Sequence, residues 1–289
     1  MISSVGFSQE ETLSKEAEEI IDELFFGKLF EETKENFIYS SLNYNSNTYS
    51  SGRDTSLDQY NLSPQVTYLN IKGFFATLTG IYLREIVPAW DLTVLSGGYY
   101  FDIDKLSKNI NFSTSYSRYF YSQASDNFIN SVAFGGSYFS SNGRFFLNIN
   151  SNYFFGEESF FQLTTNTSYS FRFTGSRNKE DYIDGTGELI GIGRGEGKDL
   201  SLTFNPRISF IISEENINPQ YYFYKEFSDS EKTLFGLINT QIKFPIYLET
   251  KRLSFEASYN LNFPRDILKK EILPTTGFFA LTMGYLISL

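Results

Sequence analysis

From residue 35 onward, apolar and polar side chains take turns along the chain with a period of two. In 144–154, Phe145, Leu147, Ile149 and Tyr153 are separated by Asn148, Asn150 and Asn152. In 159–173, Phe161, Leu163, Tyr169, Phe171 and Phe173 alternate with Gln162, Thr164, Asn166, Ser168, Ser170 and Arg172. Residues 276–289 sort in the same way, with Phe279, Leu281, Met283, Tyr285, Ile287 and Leu289 on one face. Such alternation places successive side chains on opposite faces of a β-strand. Strands are expected near 36–49, 60–70, 73–84, 91–103, 108–121, 127–139, 144–154, 159–173, 199–213, 233–248, 251–263 and 276–289. Turn residues separate them.

Twelve is an even number, as an up-and-down antiparallel barrel with both ends on one side requires. The pattern therefore predicts an all-β chain, a transmembrane barrel of about 12 strands over 35–289, with one apolar and one polar face to every strand. Paired aromatics near strand ends, at Tyr99–Phe101, Tyr119–Tyr121, Tyr153–Phe155, Phe160–Phe161 and Phe278–Phe279, are expected in two interfacial girdles. Two soluble β-sandwiches are the rival architecture. With both termini periplasmic, short turns fall at 71–72, 104–107, 140–143 and 249–250, and longer outer loops include 214–232 and 264–275. Residues 174–198 resist the scheme, being the longest connection yet on the short-turn side.

Ahead of the barrel the period changes. Leu13, Ala17, Ile20, Ile21 and Leu24 form a helical stripe, widened by Phe25 and Leu29, with Glu residues on the other face. Residues 10–34 are expected to be an acidic periplasmic helix, packed on the barrel, entering its lumen or binding a periplasmic partner. Residues 1–9, with Gly6 and Ser8 before the charged run, read as the remnant of a signal peptide.

Composition sharpens this picture. Of the 289 residues, 31 are Phe and 21 Tyr, against a single Trp. Mean hydropathy is nevertheless only −0.26, because lumenal polar residues cancel lipid-facing apolar ones. The net charge is −10, and residues 10–35 carry ten acidic against three basic residues, so the barrel itself is nearly neutral. No basic stripe exists to hold nucleic acid. The chain has neither Cys nor His, which removes disulfides, thiol chemistry and the commonest general base and metal ligand. No enzyme, cofactor or metal is expected.

Two short motifs fail on spacing. In the Gly-rich run 185–199, Ile192 stands where a phosphate loop needs its first Gly, and Asp199 follows Lys198 in place of Ser or Thr. Aligned as a calcium loop, 181–188 puts Tyr182 at the first ligand position and Gly193 at the last. A loop is the simpler reading of both.

The phrases GGYYFDI (97–103), STSYSRYFYS (113–122) and SNYFFGEESFF (151–161) resemble uncharacterised, porin-like outer-membrane β-barrel proteins of the Bacteroidota type, over roughly 36–289. The ending also resembles the terminal signal recognised by the barrel-assembly machinery, with Thr282, Gly284, Ile287 and Leu289 in its places. The resemblance implies the bacterial outer membrane and contact with its lipids; it implies no catalytic residues. On the inward faces fall Arg172, Arg207, Lys243 and Glu256, with Asn148, Asn150, Asn166, Gln241 and Asn260 as neutral hydrogen-bonding neighbours. A turn at 249–250 would set Lys243 nearly opposite Glu256, as a salt bridge. These residues are the candidate lining of a passive channel for small hydrophilic solutes. The alternative is a non-conducting barrel that anchors or assembles with a partner.

Overall fold

A computed structural model of the 289-residue chain describes residues 36–50, 53–54, 59–84, 88–102, 109–122, 129–174, 200–217, 232–250, 252–267 and 272–289. The proposed leader, the acidic helix and nearly all of the connection 174–198 lie outside the described residues.

Within them the alternating segments form twelve barrel strands, all antiparallel. They are β1 (Phe37–Asn45), β2 (Asn61–Leu69), β3 (Phe74–Leu83), β4 (Trp90–Asp102), β5 (Ile110–Tyr121) and β6 (Asn130–Phe139). The second half comprises β7 (Phe145–Phe155), β8 (Ser159–Tyr169 continued by Phe171–Thr174), β9 (Ser201–Phe204 continued by Arg207–Ile217), β10 (Lys232–Glu249), β11 (Leu253–Pro264) and β12 (Thr276–Ser288). Each strand pairs with its neighbours in sequence, and β1 pairs with β12 from Phe37↔Ser288 to Asn45↔Ala280. That pairing closes the sheet and leaves no edge.

Period-two alternation then sorts the side chains. Outward positions are apolar and exposed, among them Leu42, Val66, Leu78, Ile149, Phe210, Leu281 and Met283. Inward positions are buried and mostly polar, as with Thr67, Thr77, Ser137, Asn148, Thr164 and Asn262. Aromatics gather toward the ends of the outer wall. At the end where Asn36 and the C-terminal Leu289 meet, called the terminal end, Tyr99, Phe101 and Phe112 follow one another at 6.4 and 5.8 Å between ring centroids. At the loop end, Tyr153 stacks with Phe155 at 6.0 Å, and Phe161 lies 5.9 Å from Phe235.

The girdle expectation needs one correction. Tyr119, Tyr121, Phe154, Phe160 and Phe278 turn into the barrel, and Tyr119, Phe154 and Phe278 are buried. Adjacent residues of a strand face opposite ways, so Phe154, Phe160 and Phe278 turn away from Phe155, Phe161 and Phe279, while Tyr119 and Tyr121, two apart, turn inward together.

Several glycines sit in tight geometry, and two illustrate it. Gly73, at φ +90° in the β2–β3 turn, has its carbonyl bonded by the Tyr100 amide at 2.9 Å. Gly284 on β12 is the second. Tyr39 from β1 reaches over it to Ser254 on β11, with the hydroxyls 3.2 Å apart. A Cβ at Gly284 would run into both side chains.

Interruptions concentrate on one side of the wall. β8 breaks at Ser170, β9 breaks at Asn205–Pro206, and β10 carries a register shift opposite Ile211/Ile212 and a proline, Pro245, that donates no ladder bond.

Replacing Gly284 by Ala is expected to cost about 1–3 kcal/mol, the usual range for forcing a methyl into a filled site. Urea unfolding of the protein in detergent micelles measures it. The penalty should shrink in a Tyr39→Ala background, where the obstructing ring is gone; an unchanged penalty there would show that the clash is not with Tyr39.

Candidate functional site: the barrel interior

The inward faces build three layers. At the terminal end, Phe37, Tyr39, Leu69, Phe75, Tyr100 and Phe146 point inward and are buried, with the Phe75 and Tyr100 rings 5.0 Å apart. At the loop end, Ile81, Leu83, Leu92, Val94, Tyr119 and Phe154 make one apolar cluster, against which Tyr121 and Phe160 pack. Phe154 and Phe160 are stacked at 4.4 Å with 6° between their planes. This lumenal cluster lies on β3–β5, β7 and β8.

Across the lumen at the same end, the arc from β10 through β12 to β2 carries amides instead. Asn239 Nδ2 and Gln241 Nε2 both donate to Asn262 Oδ1, at 3.3 and 3.0 Å, and Asn262 Nδ2 donates to Thr276 Oγ1 at 3.3 Å. Further round, Asn45 Nδ2 donates to Asn61 Oδ1 at 3.0 Å. Buried amides must be bonded to be tolerated, and cross-strand amide pairs meet that need within the wall.

Between the ends lies a polar belt that holds most of the residues singled out from the sequence. Asn148 stands opposite Asn166 on β8 and donates to Ser137 Oγ at 2.9 Å; Asn150 stands opposite Thr164. Asn260 donates to Ser258 Oγ at 3.5 Å. Asn148, Asn150, Asn166 and Asn260 are all buried, and Gln241 is partly so.

The charged residues divide. Arg207, Lys243 and Glu256 are buried at 4%, 5% and 9% exposure, whereas Arg172 is exposed near the terminal end, opposite Thr203. Lys243 Nζ lies 2.9 Å from Glu256 Oε1. The salt bridge exists, but the expected register does not. The ladder instead pairs Glu249 with Ser254, so Lys243 faces Asn260 and Glu256 faces Tyr247. Turn length sets register, and the long lysine side chain covers the four-residue offset. Arg207 sits directly across β9–β10 from Lys243 and attracts the same carboxylate, which Ser258 also hydrogen-bonds. One buried carboxylate thus serves two cations on neighbouring strands.

Of the proposed insertion residues, Thr282 and Gly284 face inward, while Ile287 and Leu289 are exposed, at 41% and 60%. What sequence reasoning missed is the loop-end apolar cluster. Tyr119 and Phe154 share parity with the inward Ser117 and Asn152, and that was the available signal.

No family model matches this chain. No curated protein matches it either. Solved structures similar to it include the KdgM porin, at 8% identity and a TM-score of 0.44, covering 88% of this chain and 99% of that one. The NanC porin is similar at 8% identity and a TM-score of 0.43, with 88% and 99% covered. LpxR from Salmonella typhimurium is similar at 8% and 0.44, with 86% and 99% covered. At TM-scores below 0.5 these likenesses carry no argument, and function has to be read from the barrel itself.

Glu256→Gln is expected to destabilise the barrel by about 3–5 kcal/mol, because two buried cations lose their shared carboxylate. The double variant Lys243→Met, Glu256→Gln should cost less than the sum of the single changes. Denaturant titration of all three variants closes the cycle. Additive costs would mean that the pair is not coupled.

Proposed function

We propose that this chain is a porin-like barrel of the Bacteroidota type in the bacterial outer membrane, passing small hydrophilic solutes through a narrow polar lumen. The supporting observation is the contrast between the two faces of one closed wall. Outward stand Leu, Ile, Val and aromatic side chains, exposed all round; inward stands a belt of amides and hydroxyls. Hydrocarbon around the barrel reconciles that exterior with a stable fold, since exposed apolar surface on this scale does not persist in water. A spanning barrel needs its backbone bonded throughout, which the β1–β12 seam supplies.

Twelve strands lie between eight-stranded barrels, filled by their own side chains, and sixteen-stranded porins with an aqueous bore. A passage here would be narrow and weakly selective. Neutral amides would exchange hydrogen bonds with polar solutes, and exposed Arg172 would act at the terminal mouth. Nothing in this reading involves catalysis.

A second reading has an observation of its own. Thr164, Gln162 and Asn260 are each 1% exposed, and Asn239 and Asn262 are at 0%. Burial this complete favours a non-conducting barrel that serves as an anchor or assembly subunit, with residues 10–34 available to a periplasmic partner. On either reading the barrel-assembly machinery would insert the chain, guided by Thr282, Gly284, Ile287 and Leu289.

Single-channel recording in planar bilayers separates the two. Steady conductance supports the passage, and Arg172→Glu should then shift the reversal potential in a salt gradient toward cation preference. Silence from verified folded protein would sink the passage and leave the scaffold. Membrane insertion itself is read from Trp90, the chain's single tryptophan, which is 46% exposed on the outer wall. Brominated lipid should quench its fluorescence strongly in vesicles. Unquenched emission from folded protein would remove the membrane reading altogether.

A further inference from the structure

The outward face of β5 reads Ile110, Phe112, Thr114, Tyr116, Arg118, Phe120. One member does not belong in hydrocarbon. Arg118 is flanked on its own strand by Tyr116 and Phe120, exposed at 47% and 51%, and faces Leu95 across β4, exposed at 50%. Its side chain is partly buried in that apolar surround.

The guanidinium is held in place but not neutralised. Nη1 donates to Asn130 Oδ1 at 2.9 Å, and the Tyr116 hydroxyl donates to the same oxygen at 2.6 Å. The guanidinium carbon lies 5.9 Å from the centre of the Phe120 ring. Among the described residues no carboxylate pairs with it. A guanidinium carries five N–H donors, and the amide of Asn130 takes one.

Its height on the wall follows from the ladder. Arg118 pairs with Leu95 and Asn130, Asn130 with Phe155, and Phe155 with Ser159. Asn130 begins β6, Phe155 ends β7 and Ser159 begins β8. The cation therefore sits at the loop-end rim, level with the outward aromatics. There the penalty for an outward arginine is smallest and lipid headgroups are within reach.

We propose that Arg118, oriented by Asn130 and Tyr116, is a docking site for the phosphate of an anionic membrane lipid in the leaflet at the loop end. The proposal rests on the membrane-spanning reading. Phosphate fits because a guanidinium fork donates two parallel bonds to its oxygens, and because a headgroup supplies the negative partner that Arg118 does not find among the described residues. Leu95, Tyr116 and Val132 would lie along the acyl chains.

The test uses the full chain in detergent micelles, with diphosphoryl lipid A as the probe and native mass spectrometry to count bound lipid. The same lipid stripped of its phosphates and inorganic phosphate are the comparisons. The wild type should prefer the phosphorylated lipid by at least about fivefold, the effect of one basic residue at a charged surface. Arg118→Gln should abolish that preference. Asn130→Asp should do so too, by setting a carboxylate against the guanidinium while leaving the wall otherwise intact. Equal binding of both lipids by the wild type, or a preference that survives in Arg118→Gln, overturns the proposal. Full competition by inorganic phosphate overturns the lipid assignment in favour of a simple anion. Trp90 quenching by brominated lipid reports separately: lost quenching condemns the membrane reading, whereas intact quenching without lipid preference condemns only this site.

Discussion

Backbone hydrogen bonding is the constraint on which the rest of this structure depends. A strand presents amides and carbonyls along both sides, and each group left unpaired in hydrocarbon costs several kcal/mol. An open sheet would strand two such rows. Pairing β1 with β12 removes both, with Ser46 and Leu289 extending the seam through bonds to Phe279 and Asn36. Once the sheet is closed, alternation leaves no freedom: one set of side chains faces the surround and the other faces itself.

The inward set then has to solve its own packing problem. Burying a polar side chain is tolerable only where it is bonded, so the belt is built from groups short enough to bond their cross-strand neighbours. The Asn148–Ser137, Gln241–Asn262 and Asn45–Asn61 contacts are of this kind. In the belt charge enters as a set, with Glu256 between Lys243 and Arg207. Apolar side chains gather beyond the belt at the terminal end and on one side of the loop end, where amides line the opposite arc. Any passage must negotiate that order.

Alternation alone located all twelve strands, because each has an inner and an outer face of opposite polarity; of the charged residues it pointed inward, Arg207, Lys243 and Glu256 are buried and Arg172 is exposed. Three things escaped it. Doublets such as Phe154–Phe155 look like girdle residues on composition, yet one ring of each must face the lumen. The Lys243–Glu256 partnership was recognisable from parity and charge, but its register depended on a turn whose length the sequence pattern does not specify. Arg118 shares parity with Tyr116 and Phe120, so its outward position could have been read; only the structure shows Asn130 holding it there.

The interruptions in β8, β9 and β10 fall on consecutive strands, while the other described strands are broken only at Pro64 in β2, where the ladder with β3 skips Ser63 and Pro64, and at one register shift between β3 and β4. Some bonds bridge the gaps, from Tyr169 to Pro206 at 3.3 Å and from Asn205 to Pro245 at 3.2 Å, but they are long. A cylinder with one loosely laced side is not equally stiff around its circumference. Lateral pressure from a changing bilayer would be taken up where the lacing is slack. The wall would flatten along a line through Ser170, Pro206 and Pro245, and its cross-section would pass from round to oval without any strand letting go.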